Sequence, residues 1–169
     1  MATADYDKAR EAALALLEKY NIKSPVVPVF DIAQEEGLSI KSFDMPDELH
    51  DVAGFFDPAT KIIYVNQAET ANRQTFTVAH ELGHYILNHP ADQVGVLPRW
   101  PKMQTGTNNA PEQEANCFAE ELLVPSHFLK EQMEKYDVSP ENSEILAQLF
   151  GVSRSVMDIK LRHTWLRAI

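Results

Sequence analysis

The chain has 169 residues, enough to bury one hydrophobic core, with 44% hydrophobic and 24% charged residues, an ordinary balance for a globular domain. The net charge of −10 argues against a protein that binds nucleic acid through a broadly basic surface. One cysteine, an acidic N-terminal segment and no apolar run of 18 residues argue against a disulfide scaffold, a secretory signal peptide and a membrane span. We therefore expect a cytoplasmic protein that does not associate with membranes.

The spacing of apolar residues predicts two helices, a small sheet and then a series of helices. Helices are expected over residues 4–20, 29–36, 73–88, 111–123, 126–136, 141–150 and 153–167. Strands are expected over residues 38–43, 52–56 and 61–65, and the turn residues Asp57-Pro58-Ala59-Thr60 join the last two as a hairpin. This order is typical of a mostly helical α+β domain with a small antiparallel sheet.

The C-terminal part is predicted to be a helical extension, residues 126–169, packed on a domain formed by residues 1–125. Within it, Gly151-Val152-Ser153 joins two predicted helices in a pattern that looks like a helix-turn-helix. Four basic residues cluster on or after the second helix: Arg154, Lys160, Arg162 and Arg167. Direct DNA binding is nevertheless not expected, because the whole chain is acidic and the apolar residues of that helix need burial. Residues 91–110 are rich in Pro, Gly, Asn and Thr and are predicted to form a loop that borders the functional cleft.

The predicted helix over residues 73–88 contains the motif that carries chemistry, His80-Glu81-Leu82-Gly83-His84. His80 and His84 are four residues apart, so they lie on one face of the helix and both imidazoles can bind one metal ion. Glu81 is offset by about 100° around the helix, so it borders the ion without having to bind it. A carboxylate in that place can take a proton from a water molecule that the metal activates.

A catalytic zinc site needs a third protein ligand, and the predicted helix over residues 111–124 is the best source. Glu114 lies at the edge of the packing stripe of this helix, one turn before Phe118, where a carboxylate is poorly placed unless it has a cationic partner. We therefore favour Glu114 as the third ligand, with Glu112 and Glu121 as the alternatives.

These residues resemble the ImmA/IrrE metallopeptidase family. The resemblance is carried by RQTFTVAHELGHYIL (residues 73–87) and EANCFAEELLVP (114–125), and it extends to the hairpin and to LAQLFGVSRSVMDIKL (146–161). It implies a zincin-like fold of the gluzincin type, in which His80, His84 and Glu114 bind Zn2+, or another divalent metal such as Mn2+, and Glu81 is the general base. Val124 stands where methionine is usual in the family.

The resemblance also implies a substrate and a biological setting. Family members are intracellular bacterial or phage proteases that cleave helix-turn-helix transcriptional repressors and so derepress stress genes or mobile elements. A repressor is therefore the expected partner of this chain. Two alternatives remain: a non-proteolytic, zinc-containing regulatory protein that binds a repressor or DNA, and a zinc hydrolase such as an amidase that acts on a small molecule.

Several further residues have both a functional and a structural interpretation. Tyr85 shares the face of Glu81 and is either an oxyanion stabiliser or a core residue. Asn116 either hydrogen-bonds a ligand histidine or fixes the local backbone. His89 is expected to point away from the metal face and to serve the helix end, and Cys117 is expected to be a buried apolar residue. The spacing of the remaining histidines suggests no partner: His50, His127 and His163.

Overall fold

The computed structural model describes residues 3–44, 46–49, 51–91, 97–98 and 109–166. Its helices are α1 (Tyr6–Lys19), α2 (Val29–Glu35), α3 (Ala71–Ile86), α4 (Ala110–Leu123), α5 (Ser126–Tyr136), α6 (Ser143–Phe150) and α7 (Arg154–Leu166). Its strands are β1 (Ser39–Phe43), β2 (Val52–Asp57), β3 (Ile62–Asn66) and β4 (Leu97–Pro98). The predicted α+β class is confirmed, and the predicted helices and the first three strands agree with these elements to within a few residues.

The sheet is mixed rather than antiparallel, which corrects the prediction. Its strand order is β1-β3-β2-β4; β3 pairs antiparallel with β2 but parallel with β1. The hairpin of β2 and β3 is as expected, but β3 lies between β1 and β2 and is parallel to β1. The alternation of apolar residues predicts that a strand forms but not which strand it pairs with. Strand β4 lies in the segment that was predicted to be a loop, most of which falls outside the described residues.

Helix α3 lies at the centre of the fold, between the sheet on one side and α4 on the other. Its N-cap residue, Thr70, accepts a hydrogen bond from the backbone N–H of Arg73 (3.3 Å), a standard helix start. Gly54 in β2 lets the sheet approach closely, because a Cβ atom there would lie 2.5 Å from Cγ2 of Thr77 on α3. The central helix is therefore buried on most sides, as its apolar flanks predicted.

The C-terminal helices share the hydrophobic core of the rest of the chain. Leu146, Phe150 and Met157 are buried in the same cluster as residues of α1 and α3. Helix α6 ends at Gly151, which has a positive φ of 66° and begins the turn into α7. The boundary at residue 125 and the helix-turn-helix interpretation stay predictions. Among the residues that the structure describes, no helix has the length and apolar character needed to cross a membrane.

Candidate metal centre

Helix α3 presents the predicted motif inside the protein. His80 and His84 are each 1% exposed, and Glu81 is fully buried. The two Nε2 atoms of the histidines lie 3.1 Å apart, as the spacing of four residues requires for side chains that share one ligand. Burying two imidazoles and a carboxylate inside a helix packing surface is costly without partners, so their environment decides what they do.

The third group next to the histidines is the carboxylate of Glu112 on α4. Its Oε2 lies 3.2 Å from Nε2 of His80 and its Oε1 lies 3.3 Å from Nε2 of His84. Ligand atoms about 2.0–2.1 Å from a tetrahedral zinc ion lie about 3.3 Å from one another. Each Nε2 atom thus lies at about this distance from the other Nε2 atom and from one oxygen of Glu112, a different oxygen for each histidine. The three side chains form a group that could hold a divalent metal.

The expected third ligand, Glu114, does not lie in this group: the structure places the alternative, Glu112, beside the histidines, and Glu114 instead contacts His89. Two residues along a helix correspond to a rotation of about 200°, so Glu112 and Glu114 leave α4 in nearly opposite directions. The rotation of α4 about its own axis decides which of the two carboxylates faces the histidines. The pattern of apolar residues within one helix does not specify that rotation relative to another helix. The other alternative, Glu121, instead pairs with Lys160 and accepts hydrogen bonds from the backbone N–H and the hydroxyl of Ser126.

Asn116 on α4 contacts the first histidine. Its Oδ1 lies 2.9 Å from Nδ1 of His80, where the ring nitrogen can donate a proton to the amide oxygen. With the proton on Nδ1, the lone pair of Nε2 faces Glu112 and His84. This contact agrees with the interpretation of Asn116 as a residue that hydrogen-bonds a ligand histidine.

His89 contacts the second histidine, although it was expected to point away. Its Nδ1 lies 2.8 Å from Nδ1 of His84, and its Nε2 lies 2.9 Å from Oε2 of Glu114. The counting of helical positions failed here because α3 ends at Ile86, before His89 is reached. Burial lowers the pKa of His89, and the hydrogen bond with Glu114 acts against that effect.

The carboxylate of Glu81 is buried and unpaired. Neither of its oxygens has a hydrogen-bond partner among the described residues. Burial raises the pKa of Glu81 to about 8, against smaller opposing effects of His84 and of the Phe56 backbone amide, which does not reach an ordinary hydrogen-bond geometry. For Glu112, burial acts to raise the pKa, but the hydrogen bonds with His80 and His84 prevail and lower it. One carboxyl is thus adapted to stay ionised and the other to exchange a proton near neutral pH.

Tyr85 lines a cavity of about 200 Å³ beside His84, between the hairpin and the end of α3. Its hydroxyl donates to the backbone carbonyl of Glu36 (3.4 Å), and its ring packs edge-on against Phe56. These contacts fit its interpretation as a packing residue. The residues that line the cavity are Phe56, Pro58, Lys61, His84, Tyr85, Asn88, His89 and Ala91.

The other singled-out residues lie away from the metal ligands. His163 pairs with Glu120, and the ring of His127 packs on Phe128. Burial raises the pKa of Cys117 to about 11, so its sulfur stays a protonated thiol, in keeping with the apolar interpretation. His50 lies outside the described residues.

Two members of the predicted basic cluster of the C-terminal helix, Lys160 and Arg154, are paired with acidic residues, whereas Arg162 contacts a backbone carbonyl. Lys160 is buried against Glu121, and Arg154 lies 3.8 Å from the carboxylate of Asp158. Arg167 lies outside the described part of the chain. The paired lysine is a structural link between α7 and α4 rather than part of a basic surface.

Fold and site together define an α+β domain with a buried His-Glu-x-x-His helix and a carboxylate that is the third member of a candidate divalent-metal group. The family model of the IrrE N-terminal-like domain (peptidase M78) matches residues 33–162, more than half of the chain. The chain belongs to this family, and the resemblance seen in the sequence is confirmed.

Three known proteins are similar to this chain in sequence. It is 29% identical over 122 residues to "Uncharacterized immunity region protein 2" of Bacillus phage phi105, an alignment that covers 71% of this chain and 70% of that protein. It is 30% identical to "Radiation response metalloprotease IrrE" of Deinococcus radiodurans (60% of this chain, 31% of the relative) and 30% identical to "Metallopeptidase ImmA" of Bacillus subtilis (62% and 59%). The alignments thus span less than two thirds of both named proteases.

A "Mycobacterium tuberculosis transcriptional regulator" has a similar fold. Its TM-score is 0.63 at 18% identity, and the superposition covers 91% of this chain and 46% of that one. At this identity the likeness concerns the fold alone.

Proposed function

We propose that this protein is a zinc-dependent endopeptidase that cleaves a helix-turn-helix transcriptional repressor in the cytoplasm. The observation that carries the proposal is the convergence of His80, His84 and Glu112 beside the unpaired carboxylate of Glu81. The two Nε2 atoms are 3.1 Å apart, and each lies 3.2–3.3 Å from one of the two oxygens of Glu112. Two neutral imidazoles and one carboxylate are a common ligand set of catalytic zinc, which keeps its fourth position open.

The donor set fits zinc on physical grounds. Lone pairs of two nitrogens and one carboxylate converge on one point, and they repel one another unless a cation lies between them. When bound there, zinc would act as a Lewis acid that polarises a carbonyl group and allows a water molecule to lose a proton near neutral pH. Mn2+ is the alternative metal, since the carboxylate ligand suits it, although the two imidazoles favour zinc.

The chain's own residues supply the remaining parts of the reaction. Glu81 accepts the proton of the attacking water and later passes it to the nitrogen of the leaving amine, for which a pKa of about 8 is well matched. Asn116 fixes the orientation of His80. The cavity beside His84 offers the apolar walls of Phe56 and Tyr85 to a side chain of the peptide.

The proposed substrate follows from the family rather than from the cavity. Relatives named as metalloproteases and a phage immunity-region protein support a regulatory protein as the target. The ion pairs of Lys160 and Arg154 on α7 favour a protein partner over DNA, because they leave less unpaired positive charge on that helix. In the non-proteolytic alternative the chain binds the same repressor without cleaving it. A cleavage experiment distinguishes the two functions.

The test is to incubate the purified protein and zinc with helix-turn-helix repressors from the same genome, with the Glu81→Gln variant in parallel. We expect fragments of the repressor, identified by mass spectrometry, with the parent protein alone. Glu81→Gln should bind zinc as the parent does, because residue 81 is not a ligand. If both proteins bind the repressor and neither cleaves it, the regulatory alternative is favoured and the proposal is wrong.

A further inference from the structure

We propose that His89 and Glu114 form a positioning relay that holds His84 in the orientation and tautomer in which it can bind a metal ion. The proposal rests on the metal site of the proposed function and adds to it two residues that are not ligands. The relay begins at Nδ1 of His84 and ends at the backbone of Asp5, at the start of α1.

The relay consists of three consecutive hydrogen bonds. Nδ1 of His84 and Nδ1 of His89 are 2.8 Å apart, and Nε2 of His89 and Oε2 of Glu114 are 2.9 Å apart. The other carboxylate oxygen of Glu114 accepts a hydrogen bond from the backbone N–H of Asp5 (2.8 Å). The side chains of His89 and Glu114 are only 6% and 13% exposed, so water competes little for the two hydrogen bonds of His89, whereas the bond from Asp5 is exposed.

The positions of the hydrogens follow from the chemistry of the acceptors. An ionised carboxylate can only accept hydrogen bonds, so Nε2 of His89 carries a proton and donates it to Glu114. In a neutral His89, Nδ1 then has a lone pair and accepts from Nδ1–H of His84. This leaves the lone pair of Nε2 of His84 free to face the metal. The opposite direction would need either a proton on Glu114 or a second proton on His89, and in both cases it would put the proton of His84 on Nε2, where the metal must bind.

The backbone at the end of α3 places His89 above His84. Asn88 has a positive φ of 55°, its N–H bonds to the carbonyl of Tyr85, and the N–H of His89 bonds to the carbonyl of His84. This is a Schellman motif, in which the residue after the left-handed position commonly contacts the last turn of the helix. Here that contact is polar and joins the two imidazoles. The His-Glu-x-x-His helix thus ends in a turn that supports one of its own histidines.

Both candidate ligand histidines are supported from α4, but by different means. His80 has one partner, Asn116, whereas His84 is held through two side chains. The second arrangement also connects the metal site to the start of α1 through Glu114. Helix α4 therefore contributes Glu112 to the metal and a support to each histidine, which explains why Glu114 is half-buried without being a ligand.

The test compares His89→Leu, which keeps the bulk but removes the acceptor, with His89→Gln, which keeps an oxygen acceptor. Zinc affinity is measured by competition with a chromophoric chelator. We expect His89→Leu to bind zinc about 10–100-fold more weakly than the parent, the usual effect of losing the partner of a ligand histidine. His89→Gln should recover part of that loss. Gln113→Ala is the matched control: Gln113 also joins α4 to α1, through Tyr6, but touches neither histidine, so its zinc affinity should not change.

A spectroscopic measurement on the parent protein decides the proposal even if a variant fails to fold. A long-range proton–nitrogen correlation spectrum of the zinc-loaded protein should show His84 with its proton on Nδ1 and His89 with its proton on Nε2. Equal zinc affinity of the parent and His89→Leu, or a His84 without a proton on Nδ1, would overturn the relay and leave the proposed peptidase intact. A parent protein that binds no zinc would overturn both.

Discussion

Gly83 lies directly against the ring of Phe118, so closely that a Cβ atom at position 83 would come within 2.9 Å of Cδ1 of that ring. The two residues belong to α3 and α4, the helices that bring the histidines and Glu112 together. The absent side chain in the middle of the His-Glu-x-x-His motif thus sets the distance between the candidate ligands. Helical phase alone does not reveal this role, since glycine in a helix interior is usually only a weak point.

Replacing Gly83 with alanine should therefore weaken both packing and metal binding. Glycine to alanine in a helix normally stabilises a protein by up to about 1 kcal/mol, but here the added methyl group must push Phe118 away. Overpacking of this kind costs about 1–3 kcal/mol, which reverses the sign. Urea unfolding measures the stability, and chelator competition should show a lower zinc affinity because Glu112 moves away from His80 and His84.

Thr75→Ala, at a half-buried position of the same helix, controls for helix propensity and should change zinc affinity little. If Gly83→Ala is more stable than the parent and binds zinc equally well, then contact with Phe118 does not set the spacing of the ligands.

The sequence predicted the elements well because each has a local signal. The helix-stripe residues of α1, the turn at Asp57-Pro58 and the motif on α3 are all determined by neighbours in the chain. The strand order and the third ligand are not, because both depend on how one element is rotated or inserted against another. Glu112 faces the histidines only because α4 lies across Gly83 in one particular orientation.

His89 shows a different limit. Counting residues at 100° each assumes that the helix continues, but Asn88 adopts a positive φ and reverses the chain. Asparagine is one of the few residues that take this conformation readily, so Asn88 was the available signal for a helix stop. With that signal, His89 would have been expected above the last turn of α3, next to His84.

In the metal-free protein, Glu81→Gln should increase stability at neutral and mildly alkaline pH. The pKa of Glu81 is raised from its ordinary 4.5 to about 8 in the folded protein. The folded state therefore binds this proton more tightly than the unfolded state, so the contribution of Glu81 to stability is greatest below about pH 4.5 and is lost as the pH rises to about 8. Glutamine has no such charge, so the difference should grow over that range to a few kcal/mol.

Urea unfolding of both proteins in the presence of a chelator, at several pH values, measures that difference. The comparison of parent and variant isolates the effect of residue 81, because all other residues are the same in both proteins. A difference that stays constant with pH would show that Glu81 is ionised or solvated in the metal-free fold.

The ion pair between Lys160 and Glu121 should be a strong link between α7 and α4. Both side chains are about 5% exposed or less, and Glu121 has further hydrogen bonds only to Ser126 within the described residues. Lys160→Met leaves a buried carboxylate without its cation, which costs about 3–5 kcal/mol. Urea unfolding should show this loss.

Lys160→Met combined with Glu121→Gln should recover much of that stability, because the unpaired charge is removed as well. An exposed ion pair on the same helix, Arg154 with Asp158, offers the control, since Arg154→Met should cost little. Equal small effects at both positions would mean that Lys160 and Glu121 are solvated.

Replacing Glu112 and Glu114 of α4 separately with glutamine distinguishes a metal ligand from a positioning residue. Glu112→Gln removes a charged ligand, so the protein should no longer retain zinc at equimolar concentration through a chelating column. Glu114→Gln should retain zinc with lower affinity, since His80, His84 and Glu112 stay in place. Metal content is measured by atomic emission. Full loss of zinc in Glu114→Gln, with normal zinc in Glu112→Gln, would restore the ligand set inferred from the sequence.

The most direct measurement is a crystal structure of the zinc-loaded protein with anomalous scattering recorded at the zinc edge. We predict one strong anomalous peak about 2.0–2.1 Å from Nε2 of His80, Nε2 of His84 and a carboxylate oxygen of Glu112, with the Glu81 carboxylate beside the remaining coordination position. A peak bound by Glu114 instead, or no peak between the two histidines, would contradict the account.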